Sequence, residues 1–361
     1  MSSRIYNFSS GPSMLPLPVL EQAASELTNY RDSGMSVMEM SHRSKVYLDI
    51  FEETKADLRR IMSIPDTHEI LFMQGGATMQ FSAVPMNLIG RTGKADYAVT
   101  GVFSGTAMKE ASKYGEVRQA CSSEDRNHTY IPAQDEISDY VDASYFHYCA
   151  NNTVYGTEWK YVPETGGTPL ICDMSSNILS GYVDVSKYGL IYAGVQKNMA
   201  PAGSAVVIID KALIGNEHPL TPKLMSYKLM LEYDSMNNTP ACYTIYILGL
   251  VLKWVEKQGG VEGMAKLKTA RSKLLYDFLD ESRMFKGHAE KAARSDMNVT
   301  FRTVSEELDA KFVKEAGNAG FVNLKGHRAV GGLRASIYNA MPVEGAQKLV
   351  AFMRDFEIKN K

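Results

Sequence analysis

Cysteine and tryptophan are scarce in this chain, four and two among 361 residues. Cys121, Cys149, Cys172 and Cys242 stand far apart, with no CxxC pair and no Cys/His ligand spacing. That argues against a disulfide framework and against a zinc site, so no metal is expected. A reduced, cytoplasmic setting is predicted. Charge of one sign is also missing: the formal net charge is −2, which points to no nucleic acid and no anionic membrane as partner. The longest apolar stretch, "YTIYILGLVLKWV" (243–255), is too short to cross a bilayer and predicts a buried helix. The opening "MSSRIYNFSSGPS" lacks the apolar core of a signal peptide. No repeat or low-complexity segment is present. What remains is a chain with 45% apolar residues, enough for one large domain and a smaller one.

From about residue 15 to 260, helical and strand-like patterns alternate. "VYLDIFEETKADLRRIM" places Phe51, Thr54, Leu58 and Ile61 on one helical face. "EILFM", "DYAVT", "SYFHYCA", "PLICDMS", "LIYAGV" and "SAVVIID" are short apolar runs of the kind buried on both faces of a parallel sheet. The alternation predicts an α/β domain over 15–260. From 261 to 361 the texture changes to helix, strand, helix, strand, helix, which predicts a smaller α+β domain. Its first helix should carry Met264, Leu267, Leu274 and Phe278 on one side.

Three short stretches have the residue types for chemistry. In "EILFMQGGATMQF" (69–81) a strand ends, two glycines turn, and a helix starts near Thr78. Its free N–H groups and dipole suit an anion, although a Gly-Gly turn is also an ordinary connection. In "PLICDMSSN" (169–177) Asp173 ends an apolar strand, placed either to pair with a cationic group on a ligand or to cap the next turn. Lys197, in "GVQKNMAPAG", sits in a turn between two core strands. Lost hydration there favours a neutral amine able to attack an aldehyde; the alternative is an ammonium head that reaches water. An anion cradle, an aspartate and a lysine together match a ligand with phosphate, ring nitrogen and aldehyde, as in pyridoxal 5′-phosphate.

Taken with "SHRSK", "QGGATMQF", "MNNTPACYTIYILGLVLKW" and "GHRAVGGLRASIYNAMP", these motifs resemble the phosphoserine aminotransferase family of fold-type I pyridoxal phosphate enzymes. The resemblance covers nearly the whole chain. It implies a large domain with a mostly parallel sheet of the seven-stranded type, and a small domain of 261–361 joined by the N-terminal segment 1–14. By this resemblance Lys197 bonds the cofactor aldehyde and Asp173 holds the pyridine nitrogen protonated. Gly76, Ala77, Thr78 and Gln196 cradle the phosphate, and Thr153 bonds the ring's phenolic oxygen. Asn238 and Thr239 reach the phosphate from a neighbouring subunit, so a homodimer with shared sites is implied. Phe103 occupies a position where the family usually has tryptophan, and should still stack on the ring.

Two His-Arg pairs, His42–Arg43 and His327–Arg328, together with Arg334 are a large cationic investment in a chain of net charge −2. Arginine's planar fork suits carboxylate and phosphate, although a solvated surface patch is the plainer reading of each pair. By resemblance Arg334 binds the substrate α-carboxylate and the two pairs hold a distal phosphate, with Ser9 and Gly11 nearby. The implied reaction is transfer of the amino group of L-glutamate to 3-phosphohydroxypyruvate by ping-pong kinetics, giving O-phosphoserine and 2-oxoglutarate in L-serine biosynthesis. Family members also act on a related phosphorylated substrate, 4-phosphohydroxy-L-threonine, in making pyridoxine. A glyoxylate-using aminotransferase or a cysteine desulfurase on the same fold, and an idle scaffold, are the competing readings. The cationic pairs weigh against the first two and the complete Lys197–Asp173–glycine set against the last.

Overall fold

The structure, a computed structural model, describes residues 4–138 and 142–360. Seven strands form one sheet: β1 (His68–Gln74), β2 (Lys94–Val99), β3 (Glu116–Ser122), β4 (Phe146–Cys149), β5 (Leu170–Asp173), β6 (Leu190–Gly194) and β7 (Ser204–Asp210). They lie in the order β1-β7-β6-β5-β4-β2-β3. β7 runs antiparallel to both of its neighbours, and all other pairings are parallel. Parallel neighbours need crossovers, and the helices that supply them cover both faces, so β4, β5 and β6 are buried at every position. Each expected apolar run between 69 and 210 is therefore a strand. The edge strand β3 is the exception in texture: of its seven residues only Ala120 and Cys121 are buried.

The helix Lys45–Ile61 buries Tyr47, Ile50, Phe51, Thr54 and Leu58, a stripe spaced three and four residues apart. It packs on Cys242–Lys257, the stretch too short for a membrane, which is buried almost continuously from Ile245 to Leu252. Among the described residues no helix is long and apolar enough to cross a membrane. All four cysteines are free, and Cys121, Cys149 and Cys172 are buried.

A separate phenylalanine-rich core gathers Phe278, Phe285, Phe301, Phe312 and Phe356 around a three-stranded antiparallel sheet of Lys286–Gly287, Asn298–Arg302 and Leu333–Ser336. Phe8 and Met14 belong to this core, and Tyr6–Asn7 pairs in parallel with Phe321–Val322. The helix Gly260–Glu281 links the cores, with Met264 in the first and Leu275, Phe278 and Leu279 in the second. Leu275 rather than Leu274 is the buried leucine of that pair, because the stripe continues at 278 and 279.

Phe312 is fully buried, with ring centroids of Phe285 and Phe356 at 5.3 and 5.1 Å. Replacing it with alanine should cost about 3–5 kcal/mol by lost burial and cavity formation. Urea denaturation followed by circular dichroism checks this, and a loss below about 1 kcal/mol would contradict the packing described.

Candidate active site

The C-terminal ends of β1, β2, β4, β5 and β6 all open on one edge of the sheet, where α/β folds bind ligands. Asp173, Thr153, Lys197 and the helix starts that carry Gly76 and Phe103 lie at or just beyond that edge. Lys197 follows β6 by three residues. Its Nζ donates to Thr153 Oγ1 and Ser176 Oγ, both at 2.8 Å, and those two hydroxyls are 2.6 Å apart. The Phe103 ring, in the first turn of the helix Val102–Ala111, has its centroid 5.6 Å from Nζ. Gly11 lies against the lysine stem. A Cβ at Gly11 would sit 3.4 Å from Lys197 Cγ, and its φ of +134° also favours glycine. Ser13 ties the same turn: its hydroxyl donates to Lys197 O and its N–H to Gln196 O.

Asp173, the last residue of β5, is buried. Its Oδ1 accepts from Ser175 N at 2.8 Å, so it does cap the following turn. Among the described residues Oδ2 receives only the Cys149 thiol, at 3.6 Å. Burial, and then the Asp173 charge, push the Cys149 thiol well up, which keeps it protonated as a weak donor. One carboxylate oxygen is thus committed to structure and the other is left to a weak partner. That is a fitting place for a ring N–H.

The helix Gly76–Leu88 begins two residues earlier than expected, after Gly75 in the left-handed region (φ +88°). A Cβ on Gly75 would come within 2.9 Å of Met79 Cβ. No side chain caps this N-terminus, so the N–H groups of its first turn, at Gly76, Ala77 and Thr78, lack a side-chain acceptor. A Cβ built on Gly194 would meet Gln196 Oε1 at 2.7 Å and Ala77 Cβ at 3.2 Å. Gln196 and the helix start therefore converge above β6.

Arg334, in the strand Leu333–Ser336, is 9% exposed. Nη1 donates to Thr153 O at 3.3 Å and Nη2 to Ser10 Oγ at 2.7 Å, while Nε has no partner among the described residues. Burial pulls its pKa down, as expected for a cation enclosed without a carboxylate. His327 and Arg328 precede the turn that contains Gly331 (φ +74°) and Gly332 (φ +61°) and leads back into Arg334's strand. The His327 pKa is lowered by burial and then by the charges of Arg334 and Arg328. Ser9 Oγ accepts from Gly11 N at 3.4 Å, whereas its neighbour Ser10 carries the contact to Arg334.

Two groups of candidates are not joined to this pocket within one chain. His42 and Arg43 lie just before the helix Lys45–Ile61; His42 Nε2 is buried without a partner, and Arg43 has no ion pair among the described residues. Asn238 and Thr239 lie at Gln74, whose Nε2 donates to Thr239 O at 2.7 Å. Among the described residues no cluster of three or more His, Cys, Asp or Glu could hold a metal ion. Ser176 and Ser10 are the functional neighbours that sequence reasoning passed over. The only signal was the run of serines after Asp173 and the "FSSGP" segment.

The aminotransferase class-V family profile matches residues 5–349. The chain is 50% identical over 359 residues to a phosphoserine aminotransferase of Janthinobacterium sp. (strain Marseille), covering 99% of each. It superposes with a TM-score of 0.98 on the phosphoserine aminotransferase of Bacillus circulans subsp. alkalophilus, 44% identical over the full length of both chains. A pyridoxal phosphate-bound phosphoserine aminotransferase from Trichomonas vaginalis, 39% identical, gives a TM-score of 0.94 over 97% of this chain and 100% of that one. The chain belongs to the class-V aminotransferases, and within them to the phosphoserine aminotransferase family.

Proposed function

We propose that this pyridoxal phosphate-dependent transaminase moves the amino group of L-glutamate to 3-phosphohydroxypyruvate, yielding O-phosphoserine and 2-oxoglutarate for L-serine synthesis. The observation that carries the reading is the position of Lys197 Nζ. It is held by two hydroxyls, faced by the Phe103 ring, and shares Thr153 with a buried arginine whose Nε is unpartnered.

The residues fit the cofactor: an uncapped helix start for a phosphate, one weakly partnered Asp173 oxygen for a ring nitrogen, and an aromatic face beside the lysine. When bound, pyridoxal phosphate supplies an aldehyde for covalent attachment and a ring that withdraws electrons from the substrate Cα. Gly76, Ala77, Thr78 and Gln196 would hold its phosphate, Asp173 its ring nitrogen and Thr153 its phenolic oxygen. Lys197 Nζ then carries a proton from and to the substrate Cα, with Thr153 and Ser176 fixing the amine between transfers. Arg334 binds the α-carboxylate by charge-assisted hydrogen bonds. His327 and Arg328 bind the distal phosphate in one substrate and the γ-carboxylate in the other, so the two substrates take turns in one pocket and kinetics are ping-pong.

A homodimer completes this reading. His42, Arg43, Asn238 and Thr239 would serve the partner's site, in keeping with an exposed Arg43 that makes no ion pair among the described residues. The boundaries proposed for the two domains are 15–260, and 261–361 together with 1–14.

The deciding measurement compares half-reactions of the holoenzyme. O-phosphoserine should bleach the enzyme-bound cofactor's visible absorbance at least about 100-fold more efficiently than serine does, since the lost contacts are charge-assisted bonds to phosphate. Equal rates would remove the phosphate reading. A further expected result concerns Phe103. Phe103→Trp should tighten cofactor binding about threefold to tenfold by enlarging the stacked surface. Equilibrium dialysis checks it, and unchanged or weaker binding contradicts the stacking role.

A further inference from the structure

A cavity of about 170 Å³ opens beside the strands Lys286–Gly287 and Asn298–Arg302 of the small sheet. Asn127, from the loop after β3, and the turn at Val330 and Gly331 close its other sides. None of the residues that surround Lys197 lines it. It is too small for a drug-sized ligand and has room for a tetrahedral anion. Its charged lining is of one sign, Lys286 and Arg302, joined by the titratable His288 and by no carboxylate among the described residues.

Sheet register brings the two cations together. Lys286 stands directly opposite Arg302 in the antiparallel pair, a position where like charges repel. Both side chains are exposed, so both can reach a ligand. The Arg302 side chain makes no hydrogen bond or ion pair among the described residues. Lys286 Nζ donates to Ser282 O at 3.0 Å and has no carboxylate partner among them. A Cβ on Gly331 would lie 3.4 Å from Arg302 Nη2, so the guanidinium reaches the turn between Arg328 and Arg334. His288 Nε2 donates to Asn127 O at 3.0 Å, because a carbonyl can only accept. Burial lowers the His288 pKa, the bond to Asn127 opposes this, and the Arg302 charge adds to the lowering, so the ring is neutral at pH 7. Its Nδ1 is then an acceptor, accessible and without a partner among the described residues. Two unpaired cations and one unpaired acceptor are the complement of an anion that also carries an O–H group.

We propose that this cavity binds free hydrogen phosphate, with its oxygens on Lys286 and Arg302 and its O–H donating to His288 Nδ1. The ion relieves the repulsion between the two cations and ties both strands to the turn that leads into Arg334.

Isothermal titration calorimetry of the holoenzyme with inorganic phosphate tests the proposal, at low salt because exposed charges are readily screened. A saturable site with a Kd of about 1 mM is expected, within the ceiling for so small a ligand. Lys286→Gln and Arg302→Gln should each weaken it about tenfold, and the double variant should abolish it. Heat that survives in the double variant belongs to other phosphate sites, the substrate pocket included, and is subtracted. Both residues are exposed, and a thermal melt checks that the variants fold. Arg328→Ala, which alters the proposed substrate pocket, should leave the subtracted heat in place. Sulfate and glycerol 3-phosphate carry no O–H on the anionic group at about pH 7.5, and should bind this site at least about threefold more weakly than phosphate. No saturable heat, heat undiminished in the double variant, heat lost in Arg328→Ala, or equal binding of sulfate or glycerol 3-phosphate would each overturn the assignment.

Discussion

Lys197→Ala is expected to slow the phosphoserine half-reaction by about 10⁴-fold or more, because under the proposed function it removes both the nucleophile and the proton carrier. The fold should persist. Lys197 is only part-buried, and its side chain contributes two hydrogen bonds and a contact with Gly11 rather than core packing. Stopped-flow absorbance with O-phosphoserine measures the rate, and borohydride treatment followed by peptide mapping locates the covalent bond to the cofactor. A variant that keeps a tenth of the native rate, or a label on another residue, would be incompatible with the site described. Ser176→Ala serves as the matched control, since it loosens Nζ without removing the amine.

Arg334→Ala should produce the second large effect. A buried guanidinium that loses its place leaves Ser10, the Thr153 carbonyl and the bound carboxylate unmatched. Truncations of this kind cost about 2–5 kcal/mol, roughly 30- to 5,000-fold in kcat/KM. The loss should be similar for O-phosphoserine and for serine, which share the α-carboxylate. Arg328→Ala should behave differently. This exposed residue has no carboxylate partner among the described residues, so its loss should lower kcat/KM for O-phosphoserine about 10-fold or more and leave serine nearly unaffected. Equal losses for both substrates in Arg328→Ala would place the phosphate elsewhere. A melt of each variant separates lost binding from lost folding.

The contrast between β3 and its neighbours shows which parts of the fold were legible. β5 and β6 read directly from "PLICD" and "LIYAG" because a strand covered on both faces must be apolar throughout. β3, "EVRQACS", lies at the edge, where only Ala120 and Cys121 need burial; Arg118 instead pairs with Asp96 of β2 at 2.9 Å. Neither periodicity nor an apolar run marks such a strand. The shift from Leu274 to Leu275 has a similar origin. Both leucines suit a helix, and only the neighbouring Phe278 and Phe285 decide which one is enclosed.

In the site, the serines mark the limit. Lys197 and Asp173 stood out because a charge at the end of a buried strand needs a reason. Ser176 and Ser10 are common residues in ordinary turns, and nothing local separates Ser10 from Ser9. Only the packing of the N-terminal segment against the strand Leu333–Ser336 gives Ser10 to Arg334, 324 residues away. Arg271 was equally silent. In sequence it is one more basic residue on an amphipathic helix, and its enclosure depends on the chain returning at Asn339 and Met341.

By itself the sequence determined the alternation of strand and helix, the buried character of the central strands, and the few charged or glycine positions that such strands cannot carry without purpose. These follow from local periodicity and from the cost of burying a charge. The tertiary structure alone decided which loop ends meet at the sheet edge, that Thr153 and Ser176 grip Lys197, and that two arginines are enclosed with unmatched N–H groups. Those outcomes depend on crossover connections and on contacts between residues from 21 to 324 positions apart, which no short window of sequence contains.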